Sequence, residues 1–280
     1  MNDAFITAIN TQYATVNWMD VIADNMTNVY TPGFKEKQVN FKTFLGGAIN
    51  DDYSKKMSQG KSTPGTSNDN VFLEGKGFFL TKTPEGKSVY TRLGEFTFDG
   101  EGVYKASNGN TVQGYILNDK GEIMQGTKPI SADLYQETAL KGGALDIPTT
   151  NIKMWIDPNN GKYLGKYDEY EIKKDGTIVG KAENGKKVVP LYRITTRNFH
   201  NAAGLYEYKD GQFLETEESG KPVLGCGEIR SGLLELSNAD FKGNISYYQM
   251  AKVQMEVVNK LISSNKELLQ QAMQMVSSSY

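Results

Sequence analysis

The chain has 280 residues, 31 basic and 33 acidic, for a net charge of −2. That balance argues against nucleic acid or an anionic membrane as the main partner, and no window approaches the roughly 20 apolar residues of a membrane span. One cysteine, Cys226, excludes an internal disulfide framework, while the length suffices for one large or two modest domains.

The opening residues, MNDAFITAIN, carry neither a basic stretch nor an apolar core, so no cleaved signal peptide is expected. Residues 4–29 then repeat apolar side chains every three or four positions: Phe5, Ile9, (Gln12), Val16, Met19, Ala23 and Met26. Ile6, Tyr13, Ile22 and Val29 widen the stripe. This is the period of an amphipathic helix. Pro32 pushes Thr31 out of the helical region, so the helix must end at or before Tyr30, and Pro32-Gly33 suits the centre of a type II turn. Asn25 and Asn28 are placed to cap backbone groups where the helix stops.

Residues 46–70 are rich in Gly, Ser and Thr and read as a loop. From Val71 to about Gly232 the texture changes to short alternating segments. Asp-Gly or Asn-Gly pairs at 99, 108, 160, 175, 184 and 210 are strong hairpin signals, because both residues tolerate positive φ. The aromatics Phe78, Phe79, Tyr90, Phe96 and Phe98 read as strand residues facing a core or a neighbouring subunit rather than as a carbohydrate platform.

Helical periodicity returns from about Ser237, with Ser237, Asn238 and Asp240 as N-cap candidates. Ala251, Met255, Val258, Ile262, Asn265, Leu269, Ala272 and Val276 follow a strict 4-3-4-3 spacing. A second row, Met250, Val257, Leu261, Leu268 and Met275, runs beside it. Asn265 is the polar residue expected to fix register in a coiled coil.

The expected fold is therefore α+β and mainly β: an antiparallel β domain inserted between two long amphipathic helices that form a coiled-coil-like assembly domain. Its expected parts are an assembly helix and turn (1–45), a polar loop (46–70), a β body (71–232, divisible into 71–115 and 116–232) and a second assembly helix (233–280). The two apolar stripes could pair within one chain. Their width, and several adaptable Met residues, favour packing mainly against other copies. In that case the ends of an isolated chain should be poorly ordered.

No catalytic, cofactor or metal site emerges. Gly60-Lys61-Ser62 and Gly86-Lys87-Ser88 mimic the end of a phosphate-binding loop, but Lys55 and Thr81 stand where the earlier glycine is required. His200 is the sole histidine, and no nucleophile elbow is present. Asp157-Pro158-Asn159-Asn160-Gly161 has its glycine one place early for a calcium loop and reads as a turn.

Four spaced segments resemble the flagellar rod and hook protein family. The family's N-terminal signature reads roughly A-N-N-(I/L)-A-N-x-N-T-x-G-(F/Y)-K. Ala23, Asn25, Asn28, Thr31, Gly33, Phe34 and Lys35 match it, while Asp24, Met26, Thr27 and Tyr30 depart from its commonest residues. LEGKGFF (Leu73–Phe79) resembles its G-x-G-F-F strand. YTRLGEFTFDGEGVY (Tyr90–Tyr104) resembles its Y-T-R-x-G-x-F-x-x-D-x-x-G segment. GEIRSGLLELSNAD (Gly227–Asp240) resembles its lead into the C-terminal helix, with Ala239 for the usual Val.

The resemblance implies a structural subunit of the bacterial flagellar rod, of distal or proximal type by length, and not an enzyme. Such a subunit is exported by the flagellar type III apparatus without a cleaved signal. It then stacks helically with copies of itself and other rod and hook proteins in the periplasmic basal body. No cofactor, nucleic acid or membrane insertion is implied. Asn25, Asn28, Thr31, Pro32, Gly33, Phe34, Ser237, Asn238 and Asp240 carry the motifs, and Phe34 would anchor the chain leaving the first helix. Met255, Val258, Ile262, Leu269 and Val276 would make the assembly face. The other class that the sequence admits is a secreted β-domain binding module or adhesin oligomerised by a coiled-coil stalk.

Overall fold

The computed structural model of the chain describes residues 2–39, 53–125, 128–145, 147–154, 169–182, 185–209 and 211–277. It divides into two compact units. The first comprises residues 1–30, 35–56 and 239–280; the second comprises 31–34 and 57–238. The expected turn at 157–161, and most of the expected loop before residue 53, lie outside the described residues.

The first unit contains α1 (Asn2–Thr27), β1 (Lys37–Val39), β2 (Tyr53–Lys55) and α3 (Phe241–Ser277). α1 and α3 run antiparallel: Asn25 bonds Asn244 near one end of the seam, and Gln12 bonds Asn259 near the other. Trp18, Ile22 and Ala251 form the core of the seam, flanked by Met19, Met26 and Val39. The two ends are thus ordered against each other within one chain, where the stripe pattern favoured ordering among copies.

The stripe on α1 also differs from expectation by one position. The buried residues are Ala8, Thr15, Trp18, Ile22 and Asn25, not the row through Ile9 and Val16. Positions 8 and 15 of this buried face carry small side chains. The hydroxyl of Thr15 is satisfied within α1 by the carbonyl of Thr11, 2.7 Å away, so its burial leaves no orphan donor.

The second unit is an antiparallel β body. Its early elements are β3 (Ser62–Pro64), β4 (Val71–Glu74), β5 (Phe78–Lys82), β6 (Ser88–Thr91), β7 (Phe96–Phe98), β8 (Tyr104–Ala106) and β9 (Thr111–Ile116). β10 (Ile123–Gln125), β11 (Lys128–Ile130), α2 (Ala132–Leu140), β12 (Thr150–Asn151), β13 (Glu169–Ile172) and β14 (Thr177–Ala182) follow. The last are β15 (Lys187–Ile194), β16 (Thr196–Asn198), β17 (Tyr206–Lys209), β18 (Gln212–Leu214), β19 (Val223–Leu224), β20 (Glu228–Ser231) and β21 (Leu233–Glu235). The segment expected as a loop over 46–70 therefore carries β2 and β3.

The principal sheet has the strand order β13-β14-β15-β9-β5-β6-β18-β17. β9 crosses the expected division at 115/116 and pairs with β5, β8, β12 and β15, so one sheet spans both halves. Period-two alternation assigns the cores. On β5, Phe79 enters one cluster with Phe96, Tyr104 and Val112, while Phe78 and Leu80 enter another with Tyr90, Phe199 and Phe213. A third cluster, around Tyr115, Leu117, Ile123 and Tyr135, seats α2.

Asn108-Gly109 and Asp175-Gly176 make the expected turns, with φ of 85° and 82° at the glycines. At Asp99 the side chain accepts from the N–H groups of Glu101 and Val103, and Gly102, not Gly100, carries the positive φ. Gly86-Lys87-Ser88 closes the β5–β6 hairpin and leads into a strand, the wrong element for a phosphate-binding loop.

Candidate assembly site

Two polar constructions and two apolar surfaces gather the residues singled out by the motifs. The first construction lies in the helical unit. Asn25 is buried, and its side-chain amide does not cap α1. Instead Oδ1 accepts from the backbone N–H of Lys37 at 2.9 Å and Nδ2 donates to the Lys37 carbonyl at 2.8 Å, as a neighbouring strand would. Nδ2 also donates to Oδ1 of Asn244 at 3.2 Å. Asn244 in turn donates to Glu36 Oε1 at 2.9 Å and to the Asp240 carbonyl at 2.8 Å. Glu36 Oε2 meets Lys56 Nζ at 3.3 Å, which closes the network onto the strand pair. The end of α1, the start of α3 and β1 are thereby tied through the buried side chains of Asn25, Asn244 and Glu36.

Asn28 does act at the helix end, donating to the Asp24 carbonyl at 2.9 Å. Asp24 itself pairs with Lys37 at 2.6 Å. Of the N-cap candidates, Asp240 serves α3: its Oδ1 accepts from the Lys242 N–H at 3.2 Å. Asn238 belongs to the β body, where Nδ2 donates to the Ser58 carbonyl at 2.8 Å. Ser237, beside it, lies just before α3.

The second construction is in the β body. Thr31-Pro32-Gly33-Phe34 forms the expected turn, with φ of 72° at Gly33 and a bond from Phe34 N–H to the Thr31 carbonyl at 3.3 Å. Gly33 N–H donates to the Glu235 carbonyl at 2.8 Å, and Phe34 is buried. A Cβ on Gly33 would stand 2.9 Å from Leu93 N, so both φ and space require glycine. Nearby, Arg92 is 4% exposed and its side chain bonds the carbonyls of Leu73 and Gly75 and the carboxylate of Glu235 at 3.3 Å. Burial pulls the Arg92 pKa down, and the Glu235 charge opposes that shift. This pair joins the Tyr90–Tyr104 motif to the Gly227–Asp240 motif, and β4 pairs with β20 alongside it.

The apolar surfaces are on the helices. The strict row of α3 divides: Val258 is buried, Met255 and Ile262 are half-buried, and Leu269 and Val276 are exposed. The second row is open throughout, with Met250, Val257, Leu261, Leu268 and Met275 all at least half exposed. On α1, Ile6, Ile9, Tyr13 and Val16 are likewise exposed. Asn265 bonds its own helix at the Leu261 carbonyl, 3.0 Å away, rather than reaching α1. Asn259 and Asn244 make the polar interhelical contacts named above, and Asn244 is the buried one. It lies one heptad before Ala251, and extending the strict row backwards by seven residues would have found it. The role of Glu36 had no comparable signal.

No described helix is long and apolar enough to cross a membrane.

A family profile described as the flagellar hook protein FlgE/F/G D1 domain matches residues 72–180. The flagellar basal-body rod protein FlgG of Buchnera aphidicola subsp. Baizongia pistaciae is 23% identical over 90% of this chain and 91% of its own length. FlgG of Bacillus subtilis is 25% identical, again over 90% of this chain and 91% of its own. The flagellar hook protein FlgE of Borreliella burgdorferi is 29% identical over 62% of this chain. The chain spans only 42% of that hook protein.

Proposed function

We propose that the chain is a member of the flagellar hook and rod protein family and a structural subunit of the flagellar basal-body rod. The observation that carries this reading is collinearity: the FlgG rod proteins align over 90% of this chain and 91% of their own lengths, whereas the hook protein aligns over 42% of its length.

The helical unit suits assembly by addition. One narrow seam joins α1 to α3, and the wider apolar rows stay open. Burying those rows against copies of the chain and other rod and hook proteins is the driving force in this proposal. The protein reaches its place through the flagellar type III export apparatus and ends in the periplasmic part of the basal body. An adhesin on a coiled-coil stalk finds no support among the relatives.

Deletion of the gene in its host tests the reading. Isolated basal bodies should stop at an incomplete rod without a hook, and expression of the chain should restore them. Complete rods and hooks in the deletion strain would contradict it.

A further inference from the structure

Two arginines are deeply buried in the β body, and their surroundings differ. Arg92 is matched by two carbonyls and the carboxylate of Glu235. Arg193, on β15, is 7% exposed. Its guanidinium stacks over the Tyr135 ring, 4.2 Å from the centroid. Among the described residues, no carboxylate pairs with it and no hydrogen bond engages its side chain. Unlike Arg92 Nε, no Arg193 nitrogen is among the buried side-chain atoms left without a partner, so its guanidinium keeps access to solvent.

Arg193 instead lines a cavity of about 190 Å³, with Tyr135, Thr196 and Cys226 among the other walls. That volume holds about six waters, or one small organic anion. Lys174 adds a second positive charge at the exposed rim. Two acidic residues also line the cavity: the exposed Asp175 is engaged by its own hairpin, with Oδ1 and Oδ2 accepting from the N–H and hydroxyl of Thr177 at 3.0 and 2.8 Å. The exposed Glu228 is the other. The lining thus includes a guanidinium and a threonine hydroxyl, and a guanidinium fork is the group that takes a carboxylate in two parallel bonds.

We propose that this cavity is a carboxylate-binding site anchored by Arg193. It is independent of the helical surfaces assigned to assembly. Its ligand is either a free small acid or a Glu or Asp side chain presented by another polypeptide.

Cys226, the sole cysteine, reports on the site. In the full-length protein, iodoacetate and iodoacetamide both alkylate the thiol: the S–C bond forms, iodide leaves and the thiol proton passes to solvent. Only iodoacetate carries a carboxylate. The ratio of the iodoacetate rate to the iodoacetamide rate should fall about tenfold in Arg193→Gln, the effect of removing one close charge, with the iodoacetamide rate unchanged. Arg193→Lys should keep most of the ratio.

In the unaltered protein, glutarate should slow alkylation while chloride and phosphate at equal ionic strength do not. Protection by a blocked Gly-Glu-Gly peptide, and not by glutarate, would identify a presented side chain; the reverse would identify a free acid. A rate ratio insensitive to Arg193, phosphate protecting as well as glutarate, or protection by neither carboxylate would overturn the proposal.

Discussion

The side-chain amide of Asn25 pairs with both backbone groups of Lys37, at 2.8 and 2.9 Å, and so completes a strand edge from within a helix. Removing that amide takes one bond each from the half-buried N–H and carbonyl of Lys37 and one from the buried Asn244. Asn25→Ala should therefore cost the helical unit about 2–4 kcal/mol. Urea unfolding followed by helical circular dichroism measures this. A loss below about 0.5 kcal/mol, the range of a neutral surface change, would show that the amide is incidental.

The Arg92–Glu235 pair invites a second test. Both side chains are almost fully buried, at 4% and 1% exposed, so removing one partner leaves the other as an unmatched internal charge. Glu235→Leu should cost about 3–5 kcal/mol, while the double variant with Arg92→Met should recover most of it. Thermal unfolding of the two variants decides. Equal losses in single and double variants would mean that the pair is not the unit of stability.

Gly33→Val should lower the stability of the β body by about 2–4 kcal/mol without changing its fold, because valine is strained at a φ of 72° and meets Leu93 N. Gly33→Ala should cost less. The same denaturation curves give both values, and a neutral Val substitution would refute the turn geometry.

Alkaline pH should unfold the β body. Burial raises the Tyr90 pKa to about 12, with the Glu215 charge adding to it, and burial likewise raises Tyr104, Tyr115, Tyr135 and Tyr170. Above the ordinary tyrosine value of 10.0 the unfolded chain releases these protons while the folded chain retains them. Stability is therefore complete below that pH and falls above it, by up to about 1.4 kcal/mol per pH unit for a tyrosine as deep as Tyr104. The share of phenolate absorbance that belongs to the buried tyrosines should appear in one cooperative step coincident with unfolding. Gradual appearance of that share in folded protein would contradict it.

Most elements were legible, but not β2 and β3, which lie where a loop was expected, or α2, a helix within the expected β body. Proline at 32 stopped α1, the Asp-Gly and Asn-Gly pairs punctuated the strands, and the 4-3 spacing marked α3. Facing was less so. Apolar counting put Ile9 and Val16 in the stripe of α1, but within this chain Ala8 and Thr15 are the buried residues and Ile9 and Val16 stay exposed. A row of large apolar residues announces a face that needs burial without saying what covers it. The polar clasp was only half visible. Asn25 stood in a motif and Asn244 in a heptad position, but their meeting depends on chain reversal across more than 200 residues. The Arg92–Glu235 contact was hidden for the same reason, although both residues lie in quoted motifs.

The exposed row of α3 gives the most direct test of the rod-subunit account. Val257→Asp with Leu268→Asp alters side chains that are 52% and 55% exposed, so the purified chain should unfold as the parent does. Introduced into the deletion strain, this variant should be exported yet fail to enter basal bodies, leaving cells non-motile. Normal rods containing the doubly charged chain would contradict assembly through that face.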